Sequence, residues 1–345
     1  MAAVNVRDVA ALAGVSLGTV SNALNRPDRV SPSTLRRVHD AIDKLGFVRN
    51  DAARQLRAGR SRSIGLLVLD IGNPFFTDLA EGAEDRASEA GFAMLLGNSH
   101  GSAARETAHL ALFEEQRVRG MLISPVAEIW PQVTRLRTRD IPTVLVDRAI
   151  SDTSFSSVSV DDVAGGALAV EHLLSIGRRK IAFVGGPTKI RQVADRLEGA
   201  SRALNSVPGA TLEVLGTRAL TVLEGRRIGE LITARAPGAR PDAVFAANDL
   251  LAVGVLQGLT MVSNLRVPDD IALIGYDDIA FASATVVPLT SIRQPSTLIG
   301  RTAVELLLAE SENSADYEPQ QVVFAPELVV RDSTALVVAE PVLAG

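Results

Sequence analysis

The sequence predicts a two-lobed α/β core of doubly wound parallel sheets, preceded by a small all-α helix-turn-helix domain. Three observations lead there. From Ile64 onward, short apolar runs rich in Val, Ile and Leu alternate with stretches of helical period, the pattern of buried parallel strands with helices between them. There are too many such runs for one sheet of this type, so two sheets are expected. The first 48 residues hold three helical patterns and no strand-like run.

In the first segment, Val6, Val9, Ala10 and Ala13 fall on one helical face and Gly14 breaks the helix. Ser16 stands where an N-cap belongs, ahead of a second helix, Leu17 to Leu24. There Val20, Ala23 and Leu24 are the inward positions, and Leu17, Gly18, Thr19, Ser21 and Asn22 face outward. A third helix from about Ser33 to Leu45 carries the stripe Leu35, Val38, Ala41, Ile42 and Leu45, and Gly46 ends it. A helix-turn-helix is the expected unit. Small outward side chains and the free N–H groups at the start of the second helix suit a major groove and its phosphates, although the same pattern also occurs in helical cores that never meet DNA.

The overall net charge of −5 is unevenly spread. Residues 1–63 hold eleven Lys/Arg against five Asp/Glu, net +6, leaving 24 Lys/Arg against 35 Asp/Glu, net −11. A basic head on an acidic body is what a chain needs if only its head is to meet phosphate. Asn50 to Ala58 follows as a short run of helix formers with little to pack on, marginal as an isolated helix. Gly59 to Ser63 is a basic connector.

In the body the runs are IGLLVL (64–69), FAMLLG (92–97), GMLIS (120–124), TVLVD (143–147), SVSV (157–160), KIAFVG (180–185), DAVFAA (242–247) and DIALIGY (270–276). Ligands of such sheets bind beyond the carboxyl ends of the strands, where polar residues gather in this chain. Asp70 and Asn73-Pro74-Phe75-Phe76 follow the first run, Ser124 ends the third and Asp147-Arg148 the fourth. Asn248-Asp249 and Asp277-Asp278 follow the last two, and Gln294 follows LTSIR. Carboxylates, amides and aromatic rings together describe a sugar site, because hydroxyls need bidentate partners and a sugar face stacks on rings. Each has a plainer alternative: a mutual salt bridge for Asp147 and Arg148, core packing for Phe75, a helix N-cap for Asn248.

Two segments carry a resemblance. VRDVAALAGVSLGTVSNALN and VSPSTLRRVHDAIDKLGFVRNDAARQLRAGRSRSIGLL, within a gapless stretch from about Val4 to Leu67, closely resemble the headpiece and hinge of LacI-type (LacI/GalR family) regulators. The resemblance implies base contacts from Leu17, Gly18 and Asn22, and phosphate contacts from Ser16, Thr19, Ser21, Asn25 and Ser31. Many relatives carry Arg where this chain has Asn22, and Leu17 is equally readable as a partly buried staple residue. It also implies hinge helices paired in the minor groove, with Leu56 wedged between base pairs and Ala53 on the same face.

For residues 64–335 the likeness implies the fold of periplasmic sugar-binding proteins. Its ligand contacts carry over to Asn73, Phe75, Phe76, Ser124, Asp147, Arg148, Asn248, Asp277 and Gln294, with Arg196 matching a frequent arginine. Leu220 stands where relatives often have an aromatic. The expected organisation is a headpiece (1–48), a hinge and linker (49–63) and a core (64–345). The first lobe covers about 64–160 plus 292–322, the second about 161–291 plus 323–340. The partners implied are a palindromic double-stranded operator, a sugar effector and a second copy of the chain in a homodimer.

Composition narrows the rest. With no Cys and four scattered His, neither a metal nor a cofactor is expected. No apolar run approaches the ~20 residues of a membrane span, and the N-terminus lacks a signal-peptide pattern, so a cytoplasmic protein without membrane contact is expected. An enzyme is disfavoured because there is no GxxxxGK[ST] loop, no GxGxxG opening a helix and no GxSxG elbow between a strand and a helix. A sugar-binding protein without regulatory DNA binding is the remaining rival.

Overall fold

The structure, a computed structural model, describes residues 4–47, 61–126, 129–150, 152–205, 207–261, 263, 265–312 and 316–335. The expected hinge helix with Ala53 and Leu56 lies outside the described residues. The chain divides into two units, residues 1–60 and 61–345.

The smaller unit is built from α1 (Val6–Ala13), α2 (Leu17–Asn25) and α3 (Pro32–Leu45). Asn5 opens α1 with a capping box, its side chain accepting from Arg7 N while Asp8 accepts from Asn5 N, which satisfies two of the orphan donors of the first turn. Gly14 closes α1 in the left-handed region, φ 62°, where a side chain would be strained. Ser16 caps α2 by accepting from Thr19 N at 3.1 Å. Val9, Ala10, Ala13, Val20, Ala23, Val38 and Ala41 form the core of the unit. Val6 departs from the expectation: it is 37% exposed, at the first residue of the helix.

The larger unit holds two six-stranded sheets. The first comprises β1 (Ser63–Val68), β2 (Ala93–Asn98), β3 (Met121–Ile123), β4 (Thr143–Val146), β5 (Ser156–Val160) and β11 (Gln321–Phe324), in the order β11-β5-β4-β3-β1-β2. The second comprises β6 (Lys180–Gly185), β7 (Thr211–Gly216), β8 (Ala243–Ala246), β9 (Ala272–Asp277), β10 (Thr290–Arg293) and β12 (Glu327–Val329), in the order β12-β10-β9-β8-β6-β7. All pairings are parallel except that of β10 with β12. The chain passes between the sheets after β5, after β10 and after β11, so both lobes contain discontinuous sequence.

Helices α4 (Pro74–Glu89), α5 (Ala103–Glu115), α6 (Trp130–Arg137) and α11 (Ser296–Glu312) belong with the first sheet. Helices α7 (Asp162–Ser175), α8 (Arg191–Leu204), α9 (Val222–Thr233) and α10 (Asp249–Thr260) belong with the second. The central strands are buried on both faces, as β4 and β8 show at every residue. Four strands, β7, β10, β11 and β12, were not among the apolar runs of the sequence. β7, β11 and β12 lie at sheet edges with residues partly exposed, so none of the three needs the continuous apolar run that marks a central strand. β10 is a largely buried four-residue strand, TSIR, too short and polar to show one.

Helix approach sets the geometry of the second lobe. A Cβ on Gly199 of α8 would lie 1.9 Å from the Val163 carbonyl, and one on Gly166 of α7 would lie 2.1 Å from the Arg196 carbonyl. Only glycine permits this closeness, and the closeness brings Arg196 of α8 against Asp162 of α7.

Candidate functional site

In the smaller unit, the residues at the start of α2 face solvent. Leu17 is 46% exposed, about half in solvent and half covered. Ser16, Gly18, Asn22 and Asn25 are exposed, while Thr19 and Ser21 are partly covered. Thr19 Oγ1 lies 2.9 Å from Ser16 Oγ, and Asn25 donates to the Ser21 carbonyl at 2.8 Å, so several hydroxyls and amides are already held in fixed positions. Ser31 caps α3 through a 3.4 Å bond from Thr34 N. Arg26 and Arg29 follow α2 and are exposed, adding positive charge next to this face.

In the larger unit a cavity of about 30 Å³ lies between the carboxyl ends of the two sheets. Of the eleven positions expected from sequence, Asn73, Phe75, Phe76, Asp147, Arg196, Leu220, Asn248 and Asp277 line it. Ser124, Arg148 and Gln294 are buried but outside the lining. Gln294 still reaches the site indirectly, donating from Nε2 to Asp277 Oδ1 at 2.8 Å. Ser124 Oγ and Gln294 Oε1 are both buried without a hydrogen-bond partner. Arg148 lends positive charge to Glu106, whose carboxyl burial nevertheless raises above its ordinary range.

Hydrogen bonds cross the cleft. Asn73, the N-cap of α4 in the first lobe, accepts from Phe75 N and donates to Asp277 Oδ2 of the second lobe at 2.9 Å. Asp147, at the end of β4, accepts from Gln192 Nε2 of α8, at its carbonyl and at Oδ2 (2.7 Å). Both carboxylate residues have left-handed backbones, Asp147 at φ 58° and Asp277 at φ 104°. Such conformations cost about 1–3 kcal/mol and gather at binding sites.

Arg196 is the electrostatic centre. Its Nε donates to Asp162 Oδ1 at 2.8 Å, its Nη1 to the Ala247 carbonyl at 2.6 Å, and Nη1 also lies 3.7 Å from Asp277 Oδ1. The guanidinium sits 3.7 Å from the centre of the Tyr276 ring, a cation–π contact strengthened by burial. Burial opposes the Arg196 charge, but Asp162, Tyr276, Asp277 and Asp147 around it raise its pKa above the ordinary arginine value. Asp147 shifts in the opposite sense to a salt-bridged acid. Burial, with help from Asp162 and Asp277, raises its pKa well above the usual carboxylate range, against the pull of Arg196 and Gln192. Burial likewise raises Asp162 and Asp277. One cation thus faces three desolvated carboxyls, a site short of hydrogen-bond donors.

The aromatic wall comes from α4, where Phe75 and Phe76 pack edge to face with centroids 5.0 Å apart. Both are nearly buried and both line the cavity, so packing and cavity lining coexist. Asn248 also fills two roles: its Oδ1 caps α10 by accepting from Leu251 N at 3.0 Å, while its Nδ2 donates to the Leu220 carbonyl at 3.4 Å. Other polar strand ends serve the framework. Asp249 accepts from Ser291 Oγ and Ile279 N, and Asp278 pairs with Arg293 and Arg331.

Comparison with known proteins places both units. Residues 5–50 match bacterial regulatory proteins of the lacI family, and residues 170–334 match the periplasmic binding protein-like domain. The HTH-type transcriptional repressor PurR of Aliivibrio fischeri (strain ATCC 700601 / ES114) is 32% identical over 337 residues, 96% of this chain and 98% of that protein. The chain belongs to the lacI family of bacterial regulatory proteins. Among solved structures, this regulator resembles the lac repressor dimer bound to operator and the anti-inducer ONPF, with a TM-score of 0.84 and 27% identity over 97% of this chain and 100% of the other. It also resembles the complex of the transcriptional regulator CelR with cellobiose, with a TM-score of 0.71 and 31% identity over 96% and 99%. The regulator is a DNA-binding transcriptional repressor and not an enzyme.

Four lining residues of the regulator carried no signal in the sequence: Leu69, Ile190, Gln192 and Val193. Gln192 is the consequential one. It lies one helical turn before Arg196 on α8, so i, i+4 spacing from a recognised cleft residue was the available clue. Among the described residues, no group of three or more acidic or histidine side chains could hold a metal, and no helix is long and apolar enough to cross a membrane.

Proposed function

We propose that this regulator is a cytoplasmic homodimer whose affinity for a palindromic operator is set by a sugar bound between its two lobes. Residues 1–48 act as the headpiece, 49–63 as hinge and linker, and 64–345 as the effector-binding and dimerisation core. Leu17, Gly18 and Asn22 face bases, and Ser16, Thr19, Ser21, Asn25 and Ser31 face phosphates. Ala53 and Leu56 act in the minor groove. The effector is held by Asn73, Phe75, Phe76, Asp147, Arg196, Leu220, Asn248 and Asp277, with Gln192 added, and Ser124, Arg148 and Gln294 behind them.

The observation that carries this reading is the bridging of the cleft by Asn73–Asp277 and Gln192–Asp147. Desolvated carboxyls with few donors are matched by a polyol, whose hydroxyls donate to Asp147 and Asp277 while its apolar face rests on the Phe75–Phe76 wall. Binding exchanges interlobe hydrogen bonds for ligand bonds, which changes how the lobes sit. The first lobe feels that change where β1 begins, directly after the hinge. The cellobiose bound by CelR and the operator bound by the lac repressor dimer support the same assignment.

Deletion of residues 1–60 is the test. Operator binding in a gel-shift titration must disappear, while the sugar that raises the melting temperature of the full chain must still stabilise the truncated core. Full operator affinity in the truncated chain would refute the reading. Sugar binding with no operator affinity in the full chain would instead favour a plain sugar-binding protein.

A further inference from the structure

The strands of the second lobe have two ends, and only the carboxyl ends face the cleft. At the amino ends of β6, β7 and β8 lies a second cavity, of about 300 Å³, lined by Lys180, Glu213, Arg235 and Arg240 around apolar surface that includes Leu212. A six-residue strand separates the two cavities by about 20 Å.

The cations are held in place, with donors to spare. The Arg240 guanidinium donates from Nε to the Arg235 carbonyl at 2.9 Å and from Nη2 to the Thr233 carbonyl at 2.8 Å, which fixes its plane and leaves Nη1 without a partner among the described residues. Arg235 pairs through Nη1 with Glu213 at 2.6 Å, leaving its other nitrogens. Lys180 reaches only the Gly238 carbonyl, at a long 3.3 Å. Asp242, immediately before β8, is engaged by the backbone N–H groups of Arg179 and Lys180. The lining therefore carries three positive charges and one negative, on a body whose overall balance is −11. Two cations lack a carboxylate counterpart, and carbonyl contacts orient them without neutralising them.

We infer that this cavity binds a small phosphate monoester, its phosphate between Lys180, Arg235 and Arg240 and its organic part on Leu212. Arginine offers planar paired donors to phosphate oxygens, and lysine adds a mobile point charge. The cleft is unsuited to the same ligand, because Asp147, Asp162 and Asp277 surround its single Arg196. The two sites thus sort ligands by charge: neutral polyols between the lobes, anions at the base of the second lobe.

Isothermal titration of the full chain with glycerol 3-phosphate at low ionic strength tests this, with glycerol as the control. The expected result is saturable binding, one per chain, with a dissociation constant on the order of 0.1–1 mM. Affinity should fall about tenfold or more in the Lys180→Gln/Arg235→Gln double variant, whose melting temperature without ligand should match the parent. If the double variant melts early, Lys180→Gln alone, at an exposed side chain, should weaken binding about threefold. Absence of saturable heat up to about 10 mM, an unchanged affinity in the variants, or an equal response to glycerol would each overturn the proposal.

Discussion

Asn22 stands outward near the middle of α2, where many members of the family carry arginine, and the difference has a chemical meaning. An amide pairs bidentately with adenine, whereas a guanidinium prefers guanine, and each such pairing is worth about 1–3 kcal/mol of discrimination. Asn22→Arg should therefore move the preference at one operator position from A to G, read out by selection from randomised DNA. A second residue-scale prediction concerns Glu310, on α11. Burial, opposed by Arg137, raises its pKa to about 7. A carboxyl raised in the folded state is neutral there at low pH, so its cost is absent at pH 4, grows as pH rises from 4.5 to about 7, and is complete above that. Glu310→Gln should leave stability at low pH unchanged and raise it by about 1 kcal/mol at pH 8, a figure reduced for partial solvent screening, as measured by urea unfolding. At this scale, legibility followed locality. Ser16 and Asn248 are readable as caps because the bond each makes is to a residue three ahead. Gln192 is not readable in this way, because its partner Asp147 is 45 positions away on the other lobe.

Among the elements, the α7–α8 pair carries the tightest constraint, and it lies directly behind the cleft. Gly199→Ala places a methyl group against the Val163 carbonyl, which either forces the helices apart or strains both. Overpacking of this kind costs about 1–3 kcal/mol. It should also weaken effector binding, since Arg196 rides on the displaced helix. Urea unfolding and a sugar titration on one preparation would check both effects, and an unchanged midpoint would contradict them. The hinge is argued from sequence alone: if Leu56 wedges between base pairs, Leu56→Ala should weaken specific binding much more than non-specific binding in a gel-shift series. Legibility of elements followed burial. Central strands such as β4 and β8 declare themselves as unbroken apolar runs. The edge strands β7, β11 and β12 do not, because only their pairing partner and one face constrain them.

In the whole molecule, effector and operator bind to different units of one chain, and thermodynamic linkage requires any coupling between them to alter both affinities by the same factor. The raised pKa of Asp147 adds a pH dependence with a definite sign. Sugar hydroxyls donate to the ionised carboxylate, so binding favours loss of its proton. Affinity should rise as pH is increased from the ordinary carboxylate range through the raised value, and titration in two buffers of different ionisation heat should show proton release. A flat profile would mean that Asp147 does not accept from the ligand. The charge division between head and body was legible by counting alone, whereas the closure of the cleft needed the crossing of chain segments between lobes that no local pattern reveals. The most direct measurement of the central claim is operator affinity with and without a saturating concentration of the stabilising sugar, at fixed salt, together with sugar affinity with and without operator. A ratio of at least about fivefold, equal in both directions, is the result predicted for a ligand-gated repressor; ratios of one in both would contradict it.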